Sequence, residues 1–253
     1  MDPVSKKPHH HPAWREPTAP AAISLVCLAV SFTVLSAWTF DLPIIREVIP
    51  GRPAMQVTTA ISFMLTGLLI YFVGRFNGHG NRARFALSFG LLLIMGWTFL
   101  GFVFGFSPHL DELLGGGTLA PGRPSFPSAV CFLAIGLWGV GRDTRYAISD
   151  QIVGVLLLAI SLPAIMGHAI GQPALYYRSE SGVGVGIGMA FNTAVLFALV
   201  GYAIHGKARK NPVSVTGVII AIISTAIVMV GAAKRAGVGG PVRLLDTVPA
   251  KGH

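Results

Sequence analysis

Long uncharged stretches follow one another along this chain, separated by short segments that hold nearly all of its Lys, Arg, Asp and Glu. Seven such windows lie near 20–40, 55–74, 85–106, 125–141, 151–170, 185–204 and 213–232. A helix crosses the hydrocarbon core with about 20 residues, and each window approaches that length. In lipid a lone segment satisfies its backbone hydrogen bonds only as a helix, so the pattern predicts an all-α integral membrane fold of seven transmembrane helices. A closed barrel would need segments of about 10 residues with alternating polarity. The chain has none.

Composition sharpens this picture. Of 253 residues, 53% are apolar and 11% charged, against about 25% charged in an ordinary soluble domain. A soluble globule would lack polar surface, and disorder is excluded for the same reason. Two cysteines cannot make a disulfide scaffold; Cys27 and Cys131 both fall inside predicted spans, where a thiol packs as a small apolar group.

The positions of Lys and Arg predict orientation. With the N-terminus in the cytoplasm, the loops at 75–84, 142–150 and 205–212 are cytoplasmic and hold Arg75, Arg82, Arg84, Arg142, Arg145, Lys207, Arg209 and Lys210. The opposite loops hold Arg46, Arg52, Arg123 and Arg178, with Asp41, Glu47, Asp111, Glu112 and Glu180. This bias predicts a multi-pass membrane protein with its N-terminus in the cytoplasm. An odd number of spans then puts the C-terminus outside, against which the basic tail residues Lys234, Arg235, Arg243 and Lys251 argue. The net charge of +9 reads as topology and contact with anionic lipid. A nucleic-acid surface would need one clustered basic face.

Residues 1–19 form a polar, proline-rich cytoplasmic tail with His9, His10 and His11, and 233–253 a polar C-terminal tail. The start of the chain lacks the features of a cleaved signal peptide, so the first helix is expected to be retained.

Within the membrane domain at 20–232, the second, fourth and sixth spans share the pattern Ala-x-x-Phe-x-x-x-Gly. It occurs at Ala60, Phe63 and Gly67, at Ala129, Phe132 and Gly136, and at Ala194, Phe197 and Gly201. Thr59, Ser128 and Thr193 precede the alanines; Tyr71, Trp138 and Tyr202 follow the glycines toward the cytoplasmic interface. Pro50-Gly51-Arg52-Pro53 recurs as Pro121-Gly122-Arg123-Pro124. Ala37-Trp38-Thr39-Phe40 recurs as Gly96-Trp97-Thr98-Phe99, with Gly167-His168-Ala169-Ile170 as the third copy. The expected unit is a two-helix repeat over about 20–82, 83–148 and 149–210, followed by a seventh helix at 213–232. Each unit crosses twice, so the copies run parallel, unlike the inverted repeats of many transporters. Lipid tails are as apolar as leucine, and helices in lipid associate by close approach; the small residues and the phenylalanines are therefore read as packing positions. Gly182, Gly184, Gly186 and Gly188 lack the spacing of a phosphate loop and are also assigned to packing or to an adaptable loop.

The chemistry-bearing residues are few. There is no His-Glu-x-x-His pair, no Gly-x-Ser-x-Gly elbow and no paired intramembrane carboxylate, and Asp111 and Glu112 read as a solvated pair in a loop. No enzyme and no metal centre are expected. A haem or pigment held through His168 or His109 is the cofactor alternative. The outer ends of the odd helices gather Trp38, Trp97, His168, Tyr176 and Tyr177 beside Arg52, Arg123 and Arg178. Aromatics beside a few polar groups suit a ligand pocket, and interfacial anchoring is the competing role.

The run from Gly167 to Tyr176, followed by Met189 to Phe197, resembles the third repeat of the multi-span sensor region found at the N-terminus of many bacterial signalling proteins. The stretch from Pro121 to Gly136 is similar to the middle repeat of that region. The resemblance covers about 20–240 and implies an input module, one that elsewhere precedes PAS modules with histidine kinase or diguanylate cyclase outputs. This chain departs from the pattern in lacking an eighth helix, a phosphoacceptor box and a cyclase signature. The expectation is a sensor-like module that binds a small apolar or lipid-like ligand, or a partner membrane protein, with any signalling output supplied in trans. A structural accessory subunit of a larger membrane complex is the second expectation and a transporter the third.

Overall fold

The computed structural model describes residues 19–42, 45, 53–75, 81–105, 124–142, 150–172, 175–178 and 187–207. These contain the helices α1 (Ala19–Thr39), α2 (Val57–Arg75), α3 (Asn81–Phe104), α4 (Phe126–Gly141), α5 (Asp150–Ile170) and α6 (Phe191–Lys207). Between α5 and α6 a two-residue antiparallel pair joins β1 (Tyr177–Arg178) to β2 (Ile187–Gly188). By length and composition, α1, α3 and α5 suffice to cross a membrane, and α2, α4 and α6 are shorter apolar helices. The seventh window at 213–232, both tails and His109 lie outside the described residues.

Sequence dictates where these helices stop. Beyond α1, Asp41 takes a left-handed φ of 51°, and the Leu42 amide donates to the Ala37 carbonyl at 2.8 Å. Gly171 does the same beyond α5 with φ 69°, and the Gln172 amide reaches the Gly167 carbonyl at 2.8 Å. This six-to-one closure satisfies a carbonyl that the helix end leaves without a partner. Gly105 ends α3 with φ 71°. At the other kind of end, Ser125 caps α4 by accepting from the Ser128 amide at 3.4 Å, with Pro127 in the first turn where no amide is needed.

Each long helix lies antiparallel along its shorter successor, α1 on α2, α3 on α4 and α5 on α6; further contacts of α2 with α3, α4 with α5 and α6 with α1 close a ring. The contact points are the glycines of the recurring pattern. A Cβ on Gly67 would lie 3.0 Å from the Ser24 carbonyl oxygen, one on Gly136 2.8 Å from Leu92, and one on Gly201 3.0 Å from the Gly154 carbonyl oxygen. Ser24 also donates its hydroxyl to the Gly67 carbonyl at 2.6 Å. These close approaches are what hold helices together where hydrophobic association offers little.

The shorter helices face the centre. Phe63, Phe132 and Phe197 are fully buried there, their ring centroids 4.8, 4.7 and 4.7 Å apart in the three pairings, edge-on or tilted. Such pairs add about 0.5–1.5 kcal/mol each beyond burial. Ala60, Ala129 and Ala194 are fully buried beside them. The longer helices turn large apolar side chains outward, among them Leu25, Phe32, Phe89, Leu93, Ile152 and Met166.

Candidate input site at the loop end of the bundle

Antiparallel packing brings the C-terminal ends of α1, α3 and α5 to the same end of the bundle as the N-terminal ends of α2, α4 and α6. Ser24, Ser88 and Gly154 are the residues whose backbone lies against Gly67, Gly136 and Gly201. Fourteen residues on from each stand Trp38, Phe102 and His168, and seventeen on stand the left-handed residues Asp41, Gly105 and Gly171.

The two polar rings make matching bonds. The Trp38 indole donates to the Met55 carbonyl at 2.9 Å, and His168 Nε2 lies 2.8 Å from the Met189 carbonyl. A carbonyl only accepts, so this nitrogen carries the proton. Met55 and Met189 each precede the shorter helix of their own pair by two residues. In the middle pair Phe102 has no donor; its ring instead stands edge-on to Phe126 at 5.6 Å, as His168 does to Phe191 at 5.7 Å.

At α5 the bond becomes a closed clasp. The imidazole stacks on Tyr176, centroids 3.9 Å apart and 13° from parallel, while the Met189 amide donates to the Tyr176 carbonyl at 2.9 Å. Gly167 permits this, since a Cβ there would sit 2.6 Å from Leu175 and 3.0 Å from the Tyr176 ring. Both ends of the α5–α6 connection are thus tied to one imidazole, and β1 and β2 extend the pairing by Tyr177 opposite Gly188 and Arg178 opposite Ile187.

The candidate pocket residues divide accordingly. His168 and Tyr176 meet and are buried, and Trp38 is half-buried against its own loop. Trp97 is 51% exposed and lies five residues before the position that matches Trp38 and His168. Arg52 and Arg123 lie outside the described residues, and Tyr177 and Arg178 are described by their backbone pairing. Sequence reading missed Phe102 and Met189. The caps supply the signal that could have found Phe102, since Gly101 to Gly105 repeats the spacing of Ala37 to Asp41 and of Gly167 to Gly171. His168, the described one of the two haem or pigment candidates, has its Nε2 bonded to the Met189 carbonyl. Among the described residues no three His, Cys, Asp or Glu side chains gather in metal-binding range.

The opposite end of the bundle carries a second polar cluster. Trp138 is 2% exposed, unlike Tyr71 and Tyr202, which face outward as interfacial rings do. Its indole donates to Asp150 Oδ1 at 2.6 Å; Arg142 pairs with the same oxygen at 3.4 Å, and its guanidinium carbon lies 5.1 Å from the Trp138 ring. Trp138 packs inward instead, its N–H bonded to Asp150 at the first turn of α5.

The chain matches no family model, no curated protein and no solved structure.

Proposed function

We propose that this chain is a non-enzymatic, sensor-like input module of the bacterial inner membrane, built from three parallel two-helix units and a seventh helix, with its N-terminus in the cytoplasm. Its input is a small apolar or lipid-like ligand, or a partner membrane protein, received at the end of the bundle that carries Trp38 and His168. The observation that carries this reading is the clasp of His168, Tyr176 and Met189, which ties both ends of one connection to a single ring. A ligand or partner that competes for the Met189 carbonyl or for the Tyr176 face would release that connection, giving the differential contact that any induced change requires. The resemblance of the chain to sensor regions of signalling proteins is in keeping with an input role.

The test is retention of a bound species. Wild type and His168→Ala are extracted in mild detergent from native membranes, and their small molecules and partners are compared by native mass spectrometry. The reading expects an apolar species or partner on wild type that falls about tenfold in the variant, the equivalent of 1.4 kcal/mol. Equal retention by both proteins, at equal expression, would overturn it.

A second reading is a structural accessory subunit. It is favoured by the outward stripe of Phe85, Phe89, Leu93, Trp97, Leu100 and Phe104 on α3, with the Phe85 and Phe89 rings 6.1 Å apart and nearly parallel. Stoichiometric recovery of one large membrane partner, insensitive to His168→Ala, is its signature. Transport ranks third.

A further inference from the structure

Helix α5 is held at both of its ends and interrupted between them. Its first residue, Asp150, is gripped by Trp138 and Arg142 from the end of α4. Its third residue from the end, His168, is gripped by Met189 and Tyr176. Between them lies Pro163, buried in the helix interior. A proline has no amide proton, so the carbonyl of Ala159, four residues earlier, lacks its helical donor and the ladder is short of one rung. In lipid-embedded helices such a rung is where bending concentrates. The inner half is further fixed by close backbone approach, for a Cβ on Gly154 would lie 2.8 Å from His205 Cβ and 2.9 Å from the Gly201 carbonyl oxygen. The outer half ends at the exposed Ala169 and Ile170.

We propose that α5 is a pivoted helix, anchored through Asp150, latched through His168, and able to swing its outer half about Pro163 when the latch opens. The imidazole is a positioning group here. The device rests on the reading of this end as the input end, and it converts occupancy of the clasp into a bend in one helix. The anchored inner half keeps the contact with α4 and α6 while the outer half moves.

Hydrogen exchange read by mass spectrometry tests it on the full chain in lipid nanodiscs, comparing peptides over 151–162 with peptides over 164–170. With His168→Ala, exchange over 164–170 is expected to rise about tenfold or more while 151–162 keeps the wild-type rate. His168→Trp retains an N–H for the Met189 carbonyl, as Trp38 does for Met55, and is expected to exchange as wild type. Adding Pro163→Ala to His168→Ala restores the missing rung and is expected to return the outer half to within about threefold of wild type. Tyr176→Leu, which removes only the stacked face, is the substitute should His168→Ala fail to fold. The pivot is overturned if both halves speed up together, if neither changes, or if Pro163→Ala brings no recovery. No ligand is added, so this outcome is independent of the retention experiment.

Discussion

At Gly154 the absence of one carbon decides whether two helices meet. A Cβ there would run into backbone and a β-carbon of α6 at under 3.0 Å, neither of which can rotate away. Gly154→Ala is therefore expected to cost about 1–3 kcal/mol as overpacking, seen as a lower midpoint of thermal unfolding in detergent. Gly96 on α3 has nothing within 4 Å of the same added carbon. Gly96→Ala is expected to hold or raise that midpoint, by at most about 1 kcal/mol of helix propensity. Gly171 differs again, since its φ of 69° and not crowding demands glycine; Gly171→Ala is expected to cost about 1–2 kcal/mol of left-handed strain. The sequence announces Gly67, Gly136 and Gly201 by recurrence, and each lies at a helix contact. It does not announce Gly154, because its counterparts in the other long helices are Ser24 and Ser88, and nothing in one dimension says which residue faces a distant glycine.

Among the elements, the helices were legible and their phase was not. Five of the seven uncharged windows coincide with described helices to within four residues, and the sixth, 185–204, begins six residues before α6 and takes in β2. The match of Trp97 to Trp38 follows local identity in short apolar words, and it fails because a helix face is set by distance from the contact point. Counted from Ser24, Ser88 and Gly154, the matching position in α3 is Phe102. The Trp138 cluster was hidden for a different reason: an indole near a membrane boundary reads as an anchor until an acceptor comes within reach, and Asp150 is twelve residues away along the chain. Asp150→Ala is expected to cost about 1–3 kcal/mol by leaving the buried Trp138 N–H without an acceptor. Asp150→Asn, which still accepts, is expected to cost less, and thermal unfolding of the two variants side by side gives the order.

Across the whole molecule, the three shorter helices converge on Phe63, Phe132 and Phe197, where every ring touches the other two. Removing one ring undoes two of three contacts. Phe132→Ala is expected to destabilise by about 3–5 kcal/mol and to open a dry apolar void that takes up xenon or benzene, detectable as a rise in unfolding temperature on adding either. Phe132→Leu should cost less and bind neither. The recurrence of these phenylalanines in sequence marked them as packing positions, yet their meeting at one point depends on the order in which the helix pairs close the ring. That meeting also bears on what such a protein can convey. With aromatic carbon filling the axis there, a shift of any one of the three shorter helices presses on the other two, and the input proposed above would travel past this point as displacement of solid parts.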